Sequence, residues 1–240
     1  MQKTGLKFMK IVGLITEYNP FHAGHLYHMQ RARELTGADY CVVLMSGSFV
    51  QRGEPAIFDK YRRTKAALLA GADLVLEMPV AFSTASAHEF AAYGVALLSA
   101  IGVDAVVFGS ECGQIEFLKQ AASALNHESA EFQERLRKGL KAGLTYPQAR
   151  AKALEMEDTW ASVLTSPNNI LGIEYLRAAE DLHSPMEFYT ISRKGSGYHE
   201  DTLADANFPS ASAIRGIIRN SLSKDKDLLD ILASHLPAVT

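Results

Sequence analysis

The segment KIVGLITEYNPFHAGHLYH, residues 10–28, decides the fold because it joins a short apolar run to an amphipathic stretch. The run KIVGLIT (10–16) contains several β-branched residues and predicts a buried strand. The residues from Ala23 to Leu35 have helical spacing and predict a helix shortly after that strand. A strand followed by a helix is the first half of the unit that builds parallel sheets.

Four more apolar runs predict buried strands, at residues 40–45, 72–77, 104–108 and 187–192. Helical spacing appears between them at residues 60–70 and 86–100. This alternation indicates a Rossmann-like α/β fold, an open parallel sheet of about five strands with helices on both faces. Residues 114–181 are helical in pattern without a convincing strand, which predicts a helical insertion before the last strand.

Three similar tetrads precede three of the predicted strands: GADY (37–40), GADL (71–74) and GVDA (102–105). A glycine after a helical segment is typical of a helix end. The tetrads therefore predict that a glycine ends each preceding helix and that a strand follows directly.

Composition indicates a folded chain without a membrane segment. Of its 240 residues, 48% are hydrophobic and 21% are charged, near the averages for globular domains. No apolar stretch reaches the roughly 18 residues of a membrane span, and the amino terminus lacks the apolar core of a signal peptide. We expect a cytoplasmic protein, residues 1–8 as an extension before Met9, and buried thiols at Cys41 and Cys112.

Two basic clusters are candidate nucleic-acid contacts. The net charge is -3, so such a contact needs a local patch. Each cluster taken alone is more typical of a solvated helix face. The first comprises Arg52, Lys60, Arg62, Arg63 and Lys65, and the second Arg135, Arg137, Lys138, Lys141, Arg150 and Lys152.

The histidines after the first strand predict an anion site. His22 and His25 bracket Gly24, which we expect to let a ligand approach the backbone. Free backbone N–H groups and the helix dipole attract phosphates at a helix N-terminus. Ligands of open α/β sheets also bind at the carboxyl ends of the strands.

Two motifs carry a resemblance to known enzymes. His22-Ala23-Gly24-His25 resembles the HxGH signature of nucleotidyltransferases related to class I aminoacyl-tRNA synthetases. The segment SASAIR (210–215) resembles the ISSTxIR motif, whose hydroxyls and arginine contact the outer phosphates. The resemblance implies catalytic roles for His22, His25, Ser212 and Arg215.

A closer resemblance covers nearly all of residues 9–220. The phrases that carry it are EYNPFHAGHLYH (17–28), MSGSFVQRGEPAIFDKYRRTKAAL (45–68), FGSECG (108–113), SPNNILGIEYL (166–176) and ISRKGSGYHE (191–200). They are similar to the bacterial tRNA(Met) cytidine acetate ligases. This implies activation of acetate with ATP and Mg2+ to acetyl-adenylate, then transfer to N4 of the wobble cytidine of elongator tRNA(Met). Family members continue past the second motif, so residues 221–240 are interpreted as the start of a truncated helical C-terminal region.

The resemblance also implies an ATP pocket and leaves several roles open. Asn168 is either a nucleotide ligand or an N-cap, and Arg193 either a ligand or a solvent-facing arginine. Glu17 either orients a ribose hydroxyl or a cation, or is a buried carboxylate held by backbone donors. The implied ATP residues are Ile15, Thr16, Glu17, Tyr18, Asn19, Pro20, Phe21, His22, Ala23, Gly24, His25, Leu26, Tyr27, His28, Gly109, Asn168, Arg193 and Ser210.

Other functions use the same residues. One alternative is an adenylyltransferase that joins AMP to a small phosphorylated acceptor, and another is a nucleotide- or RNA-binding module without catalysis. A zinc hydrolase is disfavoured because no further histidine or carboxylate has a recognisable ligand spacing, so we expect no resident metal ligand set.

Overall fold

The fold is described by a computed structural model that covers residues 9–153, 164, 166–193, 210–221 and 236–237. The predicted extension, residues 1–8, lies outside the described residues. So does most of the predicted C-terminal region, residues 221–240.

Five strands form one parallel sheet, as predicted. They are β1 (Ile11–Thr16), β2 (Tyr40–Ser46), β3 (Leu74–Met78), β4 (Ala105–Ser110) and β5 (Glu187–Ser192). Their order across the sheet is β3-β2-β1-β4-β5, and each neighbouring pair is parallel. The chain runs outward from β1 to β3 and then returns to place β4 on the other side of β1. This reversal opens a crevice at the carboxyl ends of β1 and β4.

The helices cover both faces of the sheet. Those described are α1 (Ala23–Thr36), α2 (Lys60–Leu69), α3 (Val80–Ser83), α4 (Ala87–Ala100), α5 (Ile115–Asn126), α6 (Ala130–Lys141), α7 (Tyr146–Ala153), α8 (Pro167–Asp181) and α9 (Ala211–Ser221). Within the described part of residues 114–181 the regular structure is helical, which confirms the predicted insertion before β5.

Alternating strand side chains supply the two cores. Val12 and Leu14 of β1 lie in one core together with Ala32 of α1 and Ala67 of α2. Leu44 of β2 faces the opposite way, into a core that α4, α5 and α8 close. Because successive strand residues point to opposite faces, one apolar run supports both layers.

The glycine tetrads end helices and also join strands. Gly37, Gly71 and Gly102 have φ of 63°, 112° and 77°, in the range that favours glycine. The aspartates of the same tetrads accept hydrogen bonds from the backbone at the start of a neighbouring strand. These bonds are Lys10 N to Asp39 at 3.0 Å, Cys41 N to Asp73 at 2.7 Å and Ile11 N to Asp104 at 2.7 Å.

Two predicted burial patterns were wrong in degree. Strands β3 and β5 are not fully buried, because the strand order places them at the two edges of the sheet. Cys41 is buried, and burial raises the pKa of its thiol to about 12, whereas Cys112 is only partly buried. In the part of the chain that is described, none of the helices has the length and apolar character of a membrane span.

Candidate active site

A cleft of about 740 Å3 opens at the carboxyl ends of β1 and β4. Most of the predicted ATP and catalytic residues line it, although they come from five separate segments of the chain. The predicted residues in its wall are Ile15, Thr16, Glu17, Tyr18, Asn19, His22, Gly24, His25, Tyr27, His28, Gly109, Asn168, Arg193, Ser210, Ser212 and Arg215. Pro20, Phe21, Ala23 and Leu26 are not part of that wall, and Phe21 is buried in the core under α1.

His22 and His25 cap helix α1 reciprocally. Nδ1 of His22 accepts a hydrogen bond from Gly24 N at 3.0 Å, and Nδ1 of His25 accepts one from His22 N at 3.3 Å. A neutral imidazole that accepts at Nδ1 carries its proton on Nε2. The backbone therefore selects the tautomer in which both histidines present Nε2–H donors.

Burial keeps three histidines neutral: His22, which caps α1, and His25 and His28 within α1. Burial, with Arg193 and Arg215 nearby, lowers the pKa of His22 to about 3. Burial and the neighbouring His22 and Arg193 also lower the pKa of His25. For His28, burial and Arg193 lower the pKa to about 4. At neutral pH these side chains are therefore uncharged imidazoles.

Two of these imidazoles have an unused nitrogen. Nε2 of His22 and Nε2 of His28 are buried without a hydrogen-bond partner among the described residues. A buried polar atom without a partner costs on the order of 1–3 kcal/mol, so such atoms are rare unless a ligand or water completes them. Both residues line the cleft, which is consistent with a polar ligand there.

Gly24 also makes room for the His22 imidazole, a role that the sequence did not indicate. A Cβ atom at this position would lie 2.8 Å from Cε1 and 3.0 Å from Nδ1 of His22. The His22 ring thus fills the space on the side of Gly24 where a Cβ would lie. The glycine allows the imidazole to fold over the first turn of the helix.

The second motif contacts the first directly. Ser210 caps helix α9, because its Oγ accepts from Ala213 N at 3.1 Å. Arg215 donates through Nη1 to the Asn19 carbonyl at 2.8 Å and through Nη2 to Ser212 Oγ at 3.0 Å. Segments 196 positions apart are therefore joined beside the histidines.

The opposite wall contains Gly109, Asn168 and Arg193. Arg193 Nη1 donates to Asn168 Oδ1 at 3.3 Å, and a Cβ at Gly109 would lie 3.3 Å from Arg193 Cγ. The N-cap alternative for Asn168 is wrong, because α8 begins at Pro167 with Ser166 as its N-cap. Asn168 instead lies in the first turn, where its Nδ2 donates to Glu111 Oε1 at 2.6 Å. Sequence reasoning missed Glu111, although it lies inside the quoted phrase FGSECG.

Arg63 was assigned to a basic cluster, but it is an interior residue. Its side chain is 2% exposed and donates to backbone carbonyls of four residues. The acceptors are Phe58 at 3.0 Å, Glu17 at 2.6 Å, Ser46 at 3.0 Å and Gly47. Arg63 thereby joins the turns that follow β1 and β2 under the cleft, a role that no local pattern around Arg62-Arg63 indicates.

Much of the remaining charge in the two basic clusters is paired with carboxylates. In the first cluster, Lys60 pairs with Glu77 and Arg62 with Asp59. In the second, the pairs are Arg135 with Glu131, Arg137 and Lys138 with Glu134, and Arg150 with Glu174. The acidic partners lie outside the basic run in sequence, so the run appears more positive in the sequence than on the folded surface. These contacts favour the solvated helix faces over nucleic-acid patches.

One oxygen of Glu17 is held by a backbone donor, as the structural alternative for this carboxylate predicts. Its Oε1 accepts from Gln51 N at 2.9 Å, and the residue also lines the cleft. Among the described residues, no group of three or more His, Cys, Asp or Glu side chains is arranged to hold a metal ion.

Comparison with known proteins agrees with this geometry. A family model described as HIGH Nucleotidyl Transferase matches residues 9–240. The tRNA(Met) cytidine acetate ligase of Caldicellulosiruptor bescii is 47% identical over 212 residues, which cover 88% of this chain and 53% of that protein. The ligase of the same name from Clostridium novyi is 47% identical over 237 residues, covering 97% of this chain and 58% of its own length.

Solved structures show the same fold. Thermotoga maritima TmcAL bound with alpha-thio ATP has a TM-score of 0.85 and 41% identity, covering 96% of this chain and 54% of that one. Its apo form has a TM-score of 0.88. The chain thus spans little more than half the length of these relatives. The family model, the two joined motifs and the shared fold show that this chain belongs to the HIGH nucleotidyl transferase family.

Proposed function

We propose that this chain is the ATP-using part of a tRNA(Met) cytidine acetate ligase. The observation that carries the proposal is the direct junction of the two motifs, with Arg215 bonded to the Asn19 carbonyl next to the capped histidines. The same cleft is lined by His22, His25 and Arg215, which supports a site where imidazole N–H donors and a guanidinium meet an anionic ligand. The names of the relatives supply the substrate class, and the proposed tRNA substrate agrees with the expected cytoplasmic location.

ATP would lie across the cleft with its phosphates toward the two motifs. Nε2–H of His22 and of His25, together with the Ser212 hydroxyl and Arg215, would hold the β- and γ-phosphates. The Ser212 hydroxyl accepts from Arg215, which leaves its own proton for a phosphate oxygen. Gly109, Asn168 and Arg193 would face the rest of the nucleotide from the opposite wall.

The site is compatible with Mg2+ carried mainly by the phosphates. Mg2+ in nucleotide sites usually takes one or two carboxylates besides phosphate oxygens and water. Glu17 and Glu54 line the cleft, and the charges of both act on Arg215, so they lie at the same end as the second motif. Bound there, Mg2+ would offset the charge of the pyrophosphate.

The first step needs alignment rather than a base. Acetate is already ionised at neutral pH, so one of its oxygens can form a bond to the α-phosphorus as the bond to the bridging β-phosphate oxygen breaks. The products are acetyl-adenylate and pyrophosphate. His22, His25 and Arg215 would stabilise the charge that develops on the departing pyrophosphate.

The second step would transfer the acetyl group to RNA. The N4 amine of the tRNA(Met) wobble cytidine attacks the acetyl carbonyl, the mixed anhydride bond breaks, AMP leaves, and the amine loses a proton. No described residue is assigned to tRNA recognition in this proposal, because two of the five residues in the first basic cluster and four of the six in the second are paired with carboxylates, and Arg63 of the first is buried.

The test is acetate-dependent exchange of labelled pyrophosphate into ATP, with and without tRNA. We expect exchange by the wild type and a loss of about 1,000-fold in the His22→Ala, His25→Ala double variant, the size found when buried transition-state donors are removed. His127→Ala is the matched control. The His127 side chain is 72% exposed, and the residue caps the C-terminus of α5 outside the cleft lining. This variant should leave exchange unchanged.

Other outcomes would assign another function. Exchange that requires a phosphorylated acceptor in place of acetate would replace the proposal with a small-molecule adenylyltransferase. ATP binding without exchange, in the presence of acetate and tRNA(Met), would favour a binding module. Equal activity of the double variant and the wild type would remove the phosphate role of the histidines.

A further inference from the structure

Glu111 and the adjacent Cys112 join the loop after β4 to the first turn of α8 through five hydrogen bonds, four of which involve Glu111. Its Oε1 accepts from Asn168 N at 3.2 Å and Asn168 Nδ2 at 2.6 Å, and its Oε2 accepts from Asn169 N at 2.8 Å. In return, Asn169 Oδ1 accepts from Glu111 N at 2.9 Å and Cys112 N at 3.1 Å. The loop after β4 and the first turn of α8 are therefore locked together.

A carboxylate is an unexpected side chain in the wall of a cleft proposed to bind ATP. It repels phosphates, so its presence requires a compensating role. The helix N-terminus provides one, because its free N–H groups and dipole stabilise a negative charge. The Glu111 carboxylate thus occupies the anion-binding N-terminus of α8. The donors proposed to hold the phosphates belong instead to the two motifs that contain His22 and Arg215.

The contacts of Glu111 also fix the orientation of the Asn168 amide. Nδ2 of Asn168 donates to Glu111, which turns its Oδ1 toward Arg193 Nη1 at 3.3 Å. The charge of Glu111 also acts on the Arg193 guanidinium. Glu111, Asn168 and Arg193 form a chain of contacts, and all three line the cleft.

We propose that Glu111 is a positioning residue for nucleotide binding, which acts by holding Asn168 and, through it, Arg193. The proposal rests on the proposed function in one respect, that ATP is the ligand of the cleft. It adds a residue that the motifs do not contain and a mechanism that operates through a side-chain amide.

The test is a double-mutant cycle between Glu111→Gln and Asn168→Ala, with ATP as the titrant in calorimetry and with pyrophosphate exchange as the rate assay. A glutamine keeps the shape but places an NH2 group opposite an N–H donor. We expect each single variant to raise the Kd for ATP about tenfold, the size of one lost charge-assisted hydrogen bond. The double variant should be no worse than either single one, and KM should rise much more than kcat falls.

The matched control is Glu116→Gln, whose carboxylate is 75% exposed and pairs with Lys119. It should not change the Kd. Glu111→Asp keeps the charge but is too short to reach both asparagine backbones, so an intermediate Kd is expected, and this variant carries the test if Glu111→Gln does not fold.

Three results would overturn the inference. A lower midpoint of unfolding with an unchanged Kd would assign Glu111 a purely structural role. Additive losses in the double variant would show that it does not act through Asn168. If the wild type itself does not bind ATP, the proposed function fails and this inference with it, a result distinct from binding that is unaffected by Glu111.

Discussion

The two walls of the cleft differ in how completely the protein satisfies its own polar groups. On the side of the HxGH motif, Nε2 of His22 and of His28 are buried without a partner among the described residues. On the side of Glu111, the carboxylate accepts from Asn168 Nδ2 and Asn169 N, and the Asn169 Oδ1 accepts from Glu111 N. One wall therefore keeps unpartnered nitrogens, as the proposed ATP binding requires, whereas the polar groups of the other are already bonded within the protein.

The largest expected effect comes from the arginine that supports the incomplete wall. Arg63→Met removes donors to four backbone carbonyls and should lower the free energy of unfolding by about 3–5 kcal/mol, as in other broken buried charge networks. Urea unfolding measures this loss. Arg62→Met is the control one residue away, because the Arg62 side chain is 77% exposed and pairs with Asp59. Equal losses in the two variants would contradict the interior role of Arg63.

The next effect concerns the position of the His22 ring. Gly24→Ala places a methyl group 2.8 Å from the imidazole and displaces it, so pyrophosphate exchange should fall about 100-fold, as when a reacting group shifts by about 1 Å. Gly216→Ala in α9 is the control, because a Cβ there meets no heavy atom within 4 Å. If Gly24→Ala retains full exchange, the ring position is not important for the reaction.

The buried histidines also predict how the stability of the free protein depends on pH. Burial lowers their folded-state pKa values from the ordinary 6.5 to about 3 for His22 and about 4 for His28. The unfolded chain therefore binds more protons below pH 6.5, so stability is full above that pH and falls as the pH drops toward these values. Each such histidine contributes a slope of about 1.4 kcal/mol per pH unit.

His28→Gln isolates one part of this slope. Urea unfolding between pH 6.5 and 5 should show a pH dependence reduced by about 1.4 kcal/mol per pH unit relative to the wild type. His127→Gln serves as the control because its imidazole is largely exposed when folded. An unchanged slope for His28→Gln would mean that His28 is not kept neutral by burial.

The smallest expected effect separates capping from ligand binding at Ser210. Ser210→Ala removes the cap of α9 and should cost about 1 kcal/mol in thermal or urea unfolding, whereas Ser210→Asn should restore it. We expect the asparagine variant to bind ATP like the wild type. Weaker ATP binding despite restored stability would show that the hydroxyl itself contacts the phosphates.

The sequence was sufficient for features whose partners lie close along the chain. Strand β5 was predicted with its observed bounds, and the other strands and the helices near them within two residues or so. The start of α1 at Ala23 was predicted from helical spacing, and the structure adds that His22 and His25, three residues apart, cap it. The motif resemblance added the link to residues 210–215, since those residue types recur together in one family.

The burial of strands and the role of charges could not be predicted in the same way. The prediction of five buried strands failed at β3 and β5, because edge positions follow from the strand order and not from the apolar runs themselves. The basic stretch 135–152 contains no acidic residue, yet Arg150 pairs with Glu174, 24 positions away. A charge run in sequence does not reveal partners that another helix supplies.

The sequence by itself therefore determined the alternation of strands and helices, the helix ends at the glycine tetrads, and the two motifs of the cleft. Only the tertiary structure decided that Arg63 is an internal support, that Gly24 makes room for His22, and that Glu111 bonds Asn168 and Asn169. The physical reason is the separation along the chain between the residues that interact. Capping and periodicity act within a few residues and leave a local pattern, whereas Arg63 reaches Glu17 across 46 positions and Glu111 reaches Asn168 across 57.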